Sequence, residues 1–208
     1  MIVEEEPPYA AELFGDRIDV ARAFTADLGE YGEALGLMGP LEAERIWSRH
    51  VVNCALVAPL LRPGRVGDVG SGAGLPGLVL AIARPDAHLV LIEPMERRTE
   101  WLMAETDRLG LTNVTVVRGR AEDVRLDPLL DQVTARAVSA LNKLVPLCAP
   151  LVKPGGELLF MKGARVDAEV DAAEKAFRKA RVHDAEVLVL GEGITPEVTR
   201  VFRAKVGH

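Results

Sequence analysis

From Tyr9 onward apolar residues return every three or four positions, at Phe14, Ile18, Ala21, Phe24, Leu28, Tyr31 and Leu35. Asp16, Arg17, Asp19, Asp27 and Glu30 fall largely between them, so residues 9–35 are expected to form an amphipathic helix. Gly29, Gly32 and Gly36 weaken its second half and place a break at residues 36–40. A second helix is expected at about 42–61, with Ile46, Trp47, Val51, Leu56, Val57, Leu60 and Leu61 inward, stopping before Arg62-Pro63-Gly64. Residues 1–8 read as a loose acidic leader ending in Pro7-Pro8. Beyond Arg65 the period changes. Short β-branched runs at 66–69, 88–92, 114–117, 132–135 and 157–161 alternate with helical segments at 76–83, 95–109, 140–151 and 166–179. Ala121-Glu122-Asp123 makes a short helical turn, and Lys153-Pro154-Gly155-Gly156 a tight one. The last two runs, 187–190 and 198–206, have no helix between them and are expected to pair as an antiparallel hairpin.

This alternation predicts an α/β chain with a Rossmann-like sheet, an N-terminal helical cap over about 9–62 and a catalytic core over about 65–208. At 208 residues it is expected to form a single domain. Apolar residues make up 49% and charged residues 27%, and no apolar run is long enough to span a bilayer. Glu4-Glu5-Glu6 and Pro7-Pro8 leave no basic and apolar regions of a secretory signal, so a cytoplasmic location is expected. Cys54 and Cys148 are far apart, without a CxxC or a His cluster, and are expected to be packing residues, with no metal site. The net charge of −6 argues against nonspecific coating of nucleic acid but leaves room for a local basic face.

The first strand runs into Asp68-Val69-Gly70-Ser71-Gly72-Ala73-Gly74-Leu75-Pro76-Gly77, a glycine-dense corner before a helix. Gly72 to Gly77 is a literal GxGxxG, and Glu93 stands where a dinucleotide fold places its ribose-binding acid, so a nicotinamide dehydrogenase is one reading. Asp68 opposes it: a carboxylate just before the first glycine repels a pyrophosphate and favours a cationic ligand. The series Asp68-x-Gly70-x-Gly72-x-Gly74 resembles the first motif of class I S-adenosylmethionine-dependent methyltransferases. Ala121-Glu122 stands where those enzymes carry an adenine-contacting turn, and the final hairpin resembles their last two strands. Glu93 suits the ribose hydroxyls of either ligand.

At the acceptor side, the end of the fourth strand lacks the (Asn/Asp)-Pro-Pro-(Tyr/Phe) sequence of amine methylation, and Cys148 lies within a predicted helix instead of a Pro-Cys nucleophile pair. Arg136, Ser139 and Lys162 are what remains, and arginine and lysine are poor bases for an oxygen acceptor at neutral pH. An acceptor with a free lone pair, such as a purine ring nitrogen, needs positioning in line with the methyl group and no base. Arg49-His50, the glycine corner with its Leu75-Pro76-Gly77 tail, Ala121-Glu122, Arg136-Ala137 and Lys162-Gly163 together resemble the bacterial 16S ribosomal RNA guanine-N7 methyltransferase G family, also called glucose-inhibited division protein B. The resemblance runs from about Leu35 to Val206. It implies S-adenosylmethionine as donor, S-adenosylhomocysteine as product, and 16S rRNA or the small ribosomal subunit as partner. By the same resemblance the product is 7-methylguanine at guanosine 527, near the decoding region. It further implies that Gly70, Leu75, Ala121, Glu122 and Arg136 touch the donor and that Arg49, His50 and Lys162 face the RNA. No membrane or protein partner is implied. The chain departs from the family pattern at residues 36–40, where an Asn-Leu-Thr-like segment is usual, and at Asn53-Cys54, where Asp-Ser is usual.

An RNA substrate requires a basic face on an acidic chain. Arg45, Arg49, His50, Arg136, Lys162 and Arg165 are expected to converge on the carboxyl edge of the sheet, with Arg118 and Arg120 near the cofactor side. Trp47, Trp101 and Phe177 are expected in the core. A small-metabolite methyltransferase and a non-catalytic ligand-binding module are the competing readings.

Overall fold

The computed structural model describes residues 3–207; Met1 and Ile2 of the predicted leader, and the terminal His208, lie outside the described residues. The rest of the leader is not loose. Glu4 donates its backbone N–H to the Ala43 carbonyl at 3.0 Å and its carboxylate accepts the Ser48 N–H at 2.9 Å, while Glu6 accepts from Arg22 at 2.6 and 2.9 Å. The predicted first helix is α1 (Ala10–Phe14), a 3₁₀ turn over Gly15–Arg17, and α2 (Ile18–Tyr31). Phe14, Ala21, Phe24 and Leu28 are buried as expected, but Tyr31, the last residue of α2, is exposed.

The predicted second helix is not one helix. It breaks into a 3₁₀ turn (Glu42–Arg45), a π-helical turn (Ile46–Val52), a short α3 (Asn53–Ala55) and a second 3₁₀ turn (Ala58–Leu60). The physical reason is burial on more than one side. Ile46, Trp47, His50, Val51 and Val52 are all buried, five of the seven residues in the π-helical turn, which exceeds the three to four per two turns that a one-sided α-helix hides. A wider turn accommodates them.

The sheet has seven strands in the order β3-β2-β1-β4-β5-β7-β6. β1 (Gly64–Val69), β2 (Ala87–Glu93), β3 (Val114–Arg118), β4 (Leu130–Arg136) and β5 (Val152–Lys162) are parallel. They are followed by the antiparallel pair β6 (Val182–Leu190) and β7 (Thr199–Val206), as the absence of a helix between them predicts. Helices α4 (Gly77–Ala83), α5 (Glu96–Arg108), α6 (Leu141–Cys148) and α7 (Val166–Lys179) connect the strands. Lys153-Pro154-Gly155-Gly156 is not a turn before β5 but part of it. Val152 pairs with Leu130 and Glu157 with Gln132, so the intervening residues are absorbed as a bulge.

Alternation along the strands splits the core into two layers. Val66, Leu89, Leu91, Leu159 and Met161 pack with the N-terminal cap, α4 and α5; Val69, Val90, Ile92, Leu158 and Phe160 pack with α6 and α7. Trp47 and Trp101 belong to the first layer and Phe177 to the second, where its ring stacks on Phe202 at 5.3 Å. Both faces of the parallel strands are covered, which accounts for their near-continuous apolar runs. Among the described residues no helix is long and apolar enough to cross a membrane. Strand order reverses between β1 and β4, and ligands of open α/β sheets bind at such a switch point.

Candidate active site at the carboxyl ends of the strands

The glycine corner is fixed from beneath. Asp68 is fully buried, and its Oδ2 accepts the Gly77 N–H at 3.0 Å, tying the start of α4 to the end of β1. A Cβ on Gly77 would collide with Leu91 Cδ2 and stand 2.5 Å from Asp68 Oδ2, so glycine is required by packing. Gly74 is tight against Leu78 for the same reason. Gly72 differs: at φ +55° its Cβ direction is open, with nothing nearer than Gly70 O at 3.8 Å. Glu93 closes the corner from β2. Its carboxylate accepts the N–H groups of Gly72 at 2.9 Å and Met95 at 3.0 Å, and Trp101 of α5 donates to Ala73 O at 3.1 Å.

Asp68 Oδ1 has no partner, and neither has Thr134 Oγ1, which is also buried and belongs to its register partner on β4. Burial above all, with Glu93 nearby, pushes the Asp68 carboxyl up to about 7 against the opposing pull of Ser71, Gly77 and Arg136. Between an ordinary carboxyl and this one the folded chain keeps a proton that the unfolded chain has released. Its stability contribution is therefore complete below about pH 4 and lost as pH rises to about 7, on the order of 4 kcal/mol in all. Asp68→Asn is expected to flatten this slope. Urea unfolding at about pH 5 and about pH 8 measures it, and an equal pH slope in parent and variant would contradict the assignment.

Above the corner lies a cavity of about 400 Å³, within the range of small-ligand sites. Gly70, Ser71, Gly72, Ala73 and Leu75 form its floor, the cap contributes Leu37, Met38, Gly39, Glu42, Arg49 and His50, and Arg98, Arg136 and Ala137 complete it. The 36–40 segment, where the chain departs from the family pattern, is thus part of the cavity wall. Arg136 Nη2 donates to His50 Nδ1 at 2.6 Å and to the Arg49 carbonyl at 3.3 Å, and Nη1 donates to Cys54 Sγ at 3.4 Å. A guanidinium only donates, so Nδ1 carries the lone pair and Nε2–H donates to Glu42 Oε2 at 2.6 Å. Burial, with Arg136 alongside, holds the imidazole below its ordinary range although Glu42 pulls the other way. Burial likewise pushes up the Cys54 and Cys148 thiols, and both cysteines are free packing residues.

A second cavity, of about 520 Å³, adjoins the first. Arg49, Arg136 and Ala137 line both. Ala137 takes φ +54°, a left-handed conformation that turns the chain sharply out of β4 between the two spaces. Arg45, Asn53, Met161, Lys162, Glu197 and Thr199 are among the other lining residues. Arg45 pairs with Glu197. Lys162 Nζ lies 2.7 Å from Glu169 and donates to the Ser139 carbonyl at 2.9 Å, so Ser139 acts here through its backbone.

Other predicted site residues fall elsewhere. Asp68 lies below the floor and does not line the cavity. Ala121 and Glu122 border a separate groove against α6, lined also by Pro146 and Leu147, with Glu122 4.0 Å from Arg120. Arg165 stands at a groove on α7 and does not join the convergent cations, because α7 begins directly after it and carries it outward. Arg118 is paired with Glu96.

A family model described as rRNA small subunit methyltransferase G matches residues 17–198. The chain belongs to this family. It is 65% identical over 206 residues to Ribosomal RNA small subunit methyltransferase G of Clavibacter michiganensis subsp. michiganensis, covering 99% of this chain and 98% of that one. To the protein of the same name from Pseudarthrobacter chlorophenolicus it is 50% identical, over 95% and 92% of the two chains. Among solved structures, TYW2 of M. jannaschii in complex with AdoMet shares the fold at TM-score 0.58 and 19% identity, over 76% of each chain. A SAM-dependent O-methyltransferase from Thermotoga maritima does so at TM-score 0.54 and 16% identity, over 76% of this chain and 65% of that one.

Membership of the rRNA small subunit methyltransferase G family removes the dehydrogenase reading of the glycine corner. Three contributors to this family member's first cavity, Glu42, Arg98 and the 37–39 wall, have no role in the sequence reading, and neither has Cys54, which lines neither cavity but holds Arg136. Arg98 carried a usable signal, since it lies in the first turn of the helix after the Glu93 strand. Glu42 and Cys54 carried none, because their roles depend on a π-helical turn that periodicity does not reveal.

Proposed function

We propose that this protein transfers a methyl group from S-adenosylmethionine to N7 of a guanine in 16S rRNA, with the first cavity taking the donor and the second the acceptor base. One observation carries this reading: the two cavities meet along Arg49, Arg136 and Ala137, so two ligands can approach each other across Arg136. The residues present suit the donor. Gly72 leaves open space over the floor, Leu37, Met38 and Leu75 give apolar walls, and buried Glu93 fixes the Gly72 backbone. When bound, S-adenosylmethionine supplies an electrophilic methyl group on a sulfonium sulfur.

The chain's own groups orient and do not deprotonate. His50 is engaged on both ring nitrogens, Glu42 is held by His50, and Glu197 is held by Arg45. A guanine N7 lone pair needs no base, so this matches an acceptor of that kind. Arg45, Arg49, Arg136 and Lys162 around the second cavity suit a phosphate backbone and weigh against a neutral metabolite. Extraction of the base from its stack is required to reach the cavity. The experiment is incubation of the purified chain with methyl-labelled donor and small ribosomal subunits or naked 16S rRNA. Label is expected in 16S rRNA at one guanine, mapped by strand scission after borohydride and aniline treatment; label in no rRNA, or on an exocyclic amine, would refute the reading.

A further inference from the structure

Four side chains bring charge or a titratable ring from outside the glycine loop into the first cavity along with Glu42: Arg49, His50, Arg98 and Arg136. Three of them are committed within the fold. Arg136 is held by His50, the Arg49 carbonyl and Cys54; His50 is held by Arg136 and Glu42; Arg49 lies 3.7 Å from the Glu42 carboxylate. Arg98 is different. Its Nε is buried and has no hydrogen-bond partner, and no carboxylate among the described residues is paired with its guanidinium. Nearby Arg97 and Glu96 on the same turn do not compensate it, since Glu96 pairs with Arg118.

A half-buried guanidinium facing a cavity with a buried, unsatisfied donor is destabilising unless something accepts from it. A guanidinium is best satisfied by a planar carboxylate or a phosphate, to which it donates two parallel hydrogen bonds. The cavity floor is the glycine loop that the proposed donor occupies, and that donor carries one anionic group, the carboxylate of its amino-acid part. We propose that Arg98 binds the amino-acid carboxylate of S-adenosylmethionine and so sets the preference of the first cavity for ligands that retain the amino-acid part. This rests on the donor assignment made above. An RNA phosphate shares the chemistry of the carboxylate but enters by the second cavity, which Arg98 does not line.

The test is calorimetric titration of the full chain with two neutral-sulfur probes, S-adenosylhomocysteine and 5′-methylthioadenosine, which share the adenosine and thioether and differ in the amino-acid part. The parent is expected to bind the first more tightly. Arg98→Met keeps the apolar stem and removes the fork; it is expected to lose about 10- to 100-fold in affinity for S-adenosylhomocysteine while methylthioadenosine stays within about 2-fold. Arg98→Lys should recover part of the loss, because a point charge replaces the fork. Equal weakening of both probes, or an unchanged preference in Arg98→Met, would overturn the assignment. So would a variant that binds S-adenosylhomocysteine normally and loses affinity only for rRNA. If the parent itself binds neither probe, the donor assignment fails first and this inference with it, so the two failures are told apart by the parent alone.

Discussion

Alanine at position 136 is expected to lower methyl transfer to small-subunit rRNA by about 100-fold or more, the scale of a reacting group displaced by about 1 Å. Arg136 is the one side chain that lines both cavities from the end of a central strand, and three bonds to the cap hold it there. Its removal leaves the His50 Nδ1 lone pair, the Arg49 carbonyl and Cys54 without their donor. The cost to stability is about 1–3 kcal/mol, visible in urea unfolding but short of unfolding the chain. Arg136→Lys should rescue little, because an ammonium cannot span the ring nitrogen, the carbonyl and the sulfur at once. The His50 titration gives an independent reading. In the parent, burial first and Arg136 second hold this imidazole below its ordinary range. As pH falls through about 6.5 the unfolded chain takes up a proton that the folded chain refuses, so stability is lost toward acid. In the alanine variant the His50 pKa should rise and that loss should shrink. An unmoved His50 titration by NMR, together with unimpaired methyl transfer, would contradict the role given to Arg136.

Two glycines five positions apart, Gly72 and Gly77, should answer differently to the same change. Gly77→Ala puts a methyl group against fully buried Leu91 and against the carboxylate that accepts its own N–H. Overpacking of about 1–3 kcal/mol adds to the loss of a buried hydrogen bond of about 1 kcal/mol, and in a chain of this size the melting temperature should fall by roughly 5–15 °C. Gly72→Ala meets open space, and its penalty is the positive φ, about 1–2 kcal/mol. The added methyl group then projects where the donor is proposed to lie. The expected pattern is a well-folded Gly72→Ala with little affinity for S-adenosylhomocysteine, and a Gly77→Ala of low stability. Melting curves together with titration separate them, and a Gly72→Ala that binds as the parent does would place the ligand off this loop.

The sheet was legible because strands and helices write different periods, and glycine or proline marks most of the joints. The Gly72 to Gly77 corner and the final hairpin followed from the same signals. The cap was legible only as apolar. Its spacing from Ile46 to Leu61 satisfies an α-helix, and nothing in that spacing announces that five residues of one turn are buried at once. Tertiary pairing stayed hidden for a different reason. Glu42, Glu4 and Arg98 look like ordinary charges on solvated faces, and their partners, or the lack of one, are set by residues distant in sequence. Arg165 and Ala121 show the converse: a residue at the expected place along the chain can still border a separate groove.

The anchoring of the leader has a practical side. Glu4 grips Ser48 at the head of the turn that presents Arg49 and His50, and Glu6 grips Arg22 on α2. A shortened version starting at Tyr9 would keep the residues of every strand and helix, yet it would remove the Glu4 and Glu6 contacts to the turn and helix beside the first cavity. Removal of Glu4 and Glu6 is therefore a change to the machinery and not to its packaging.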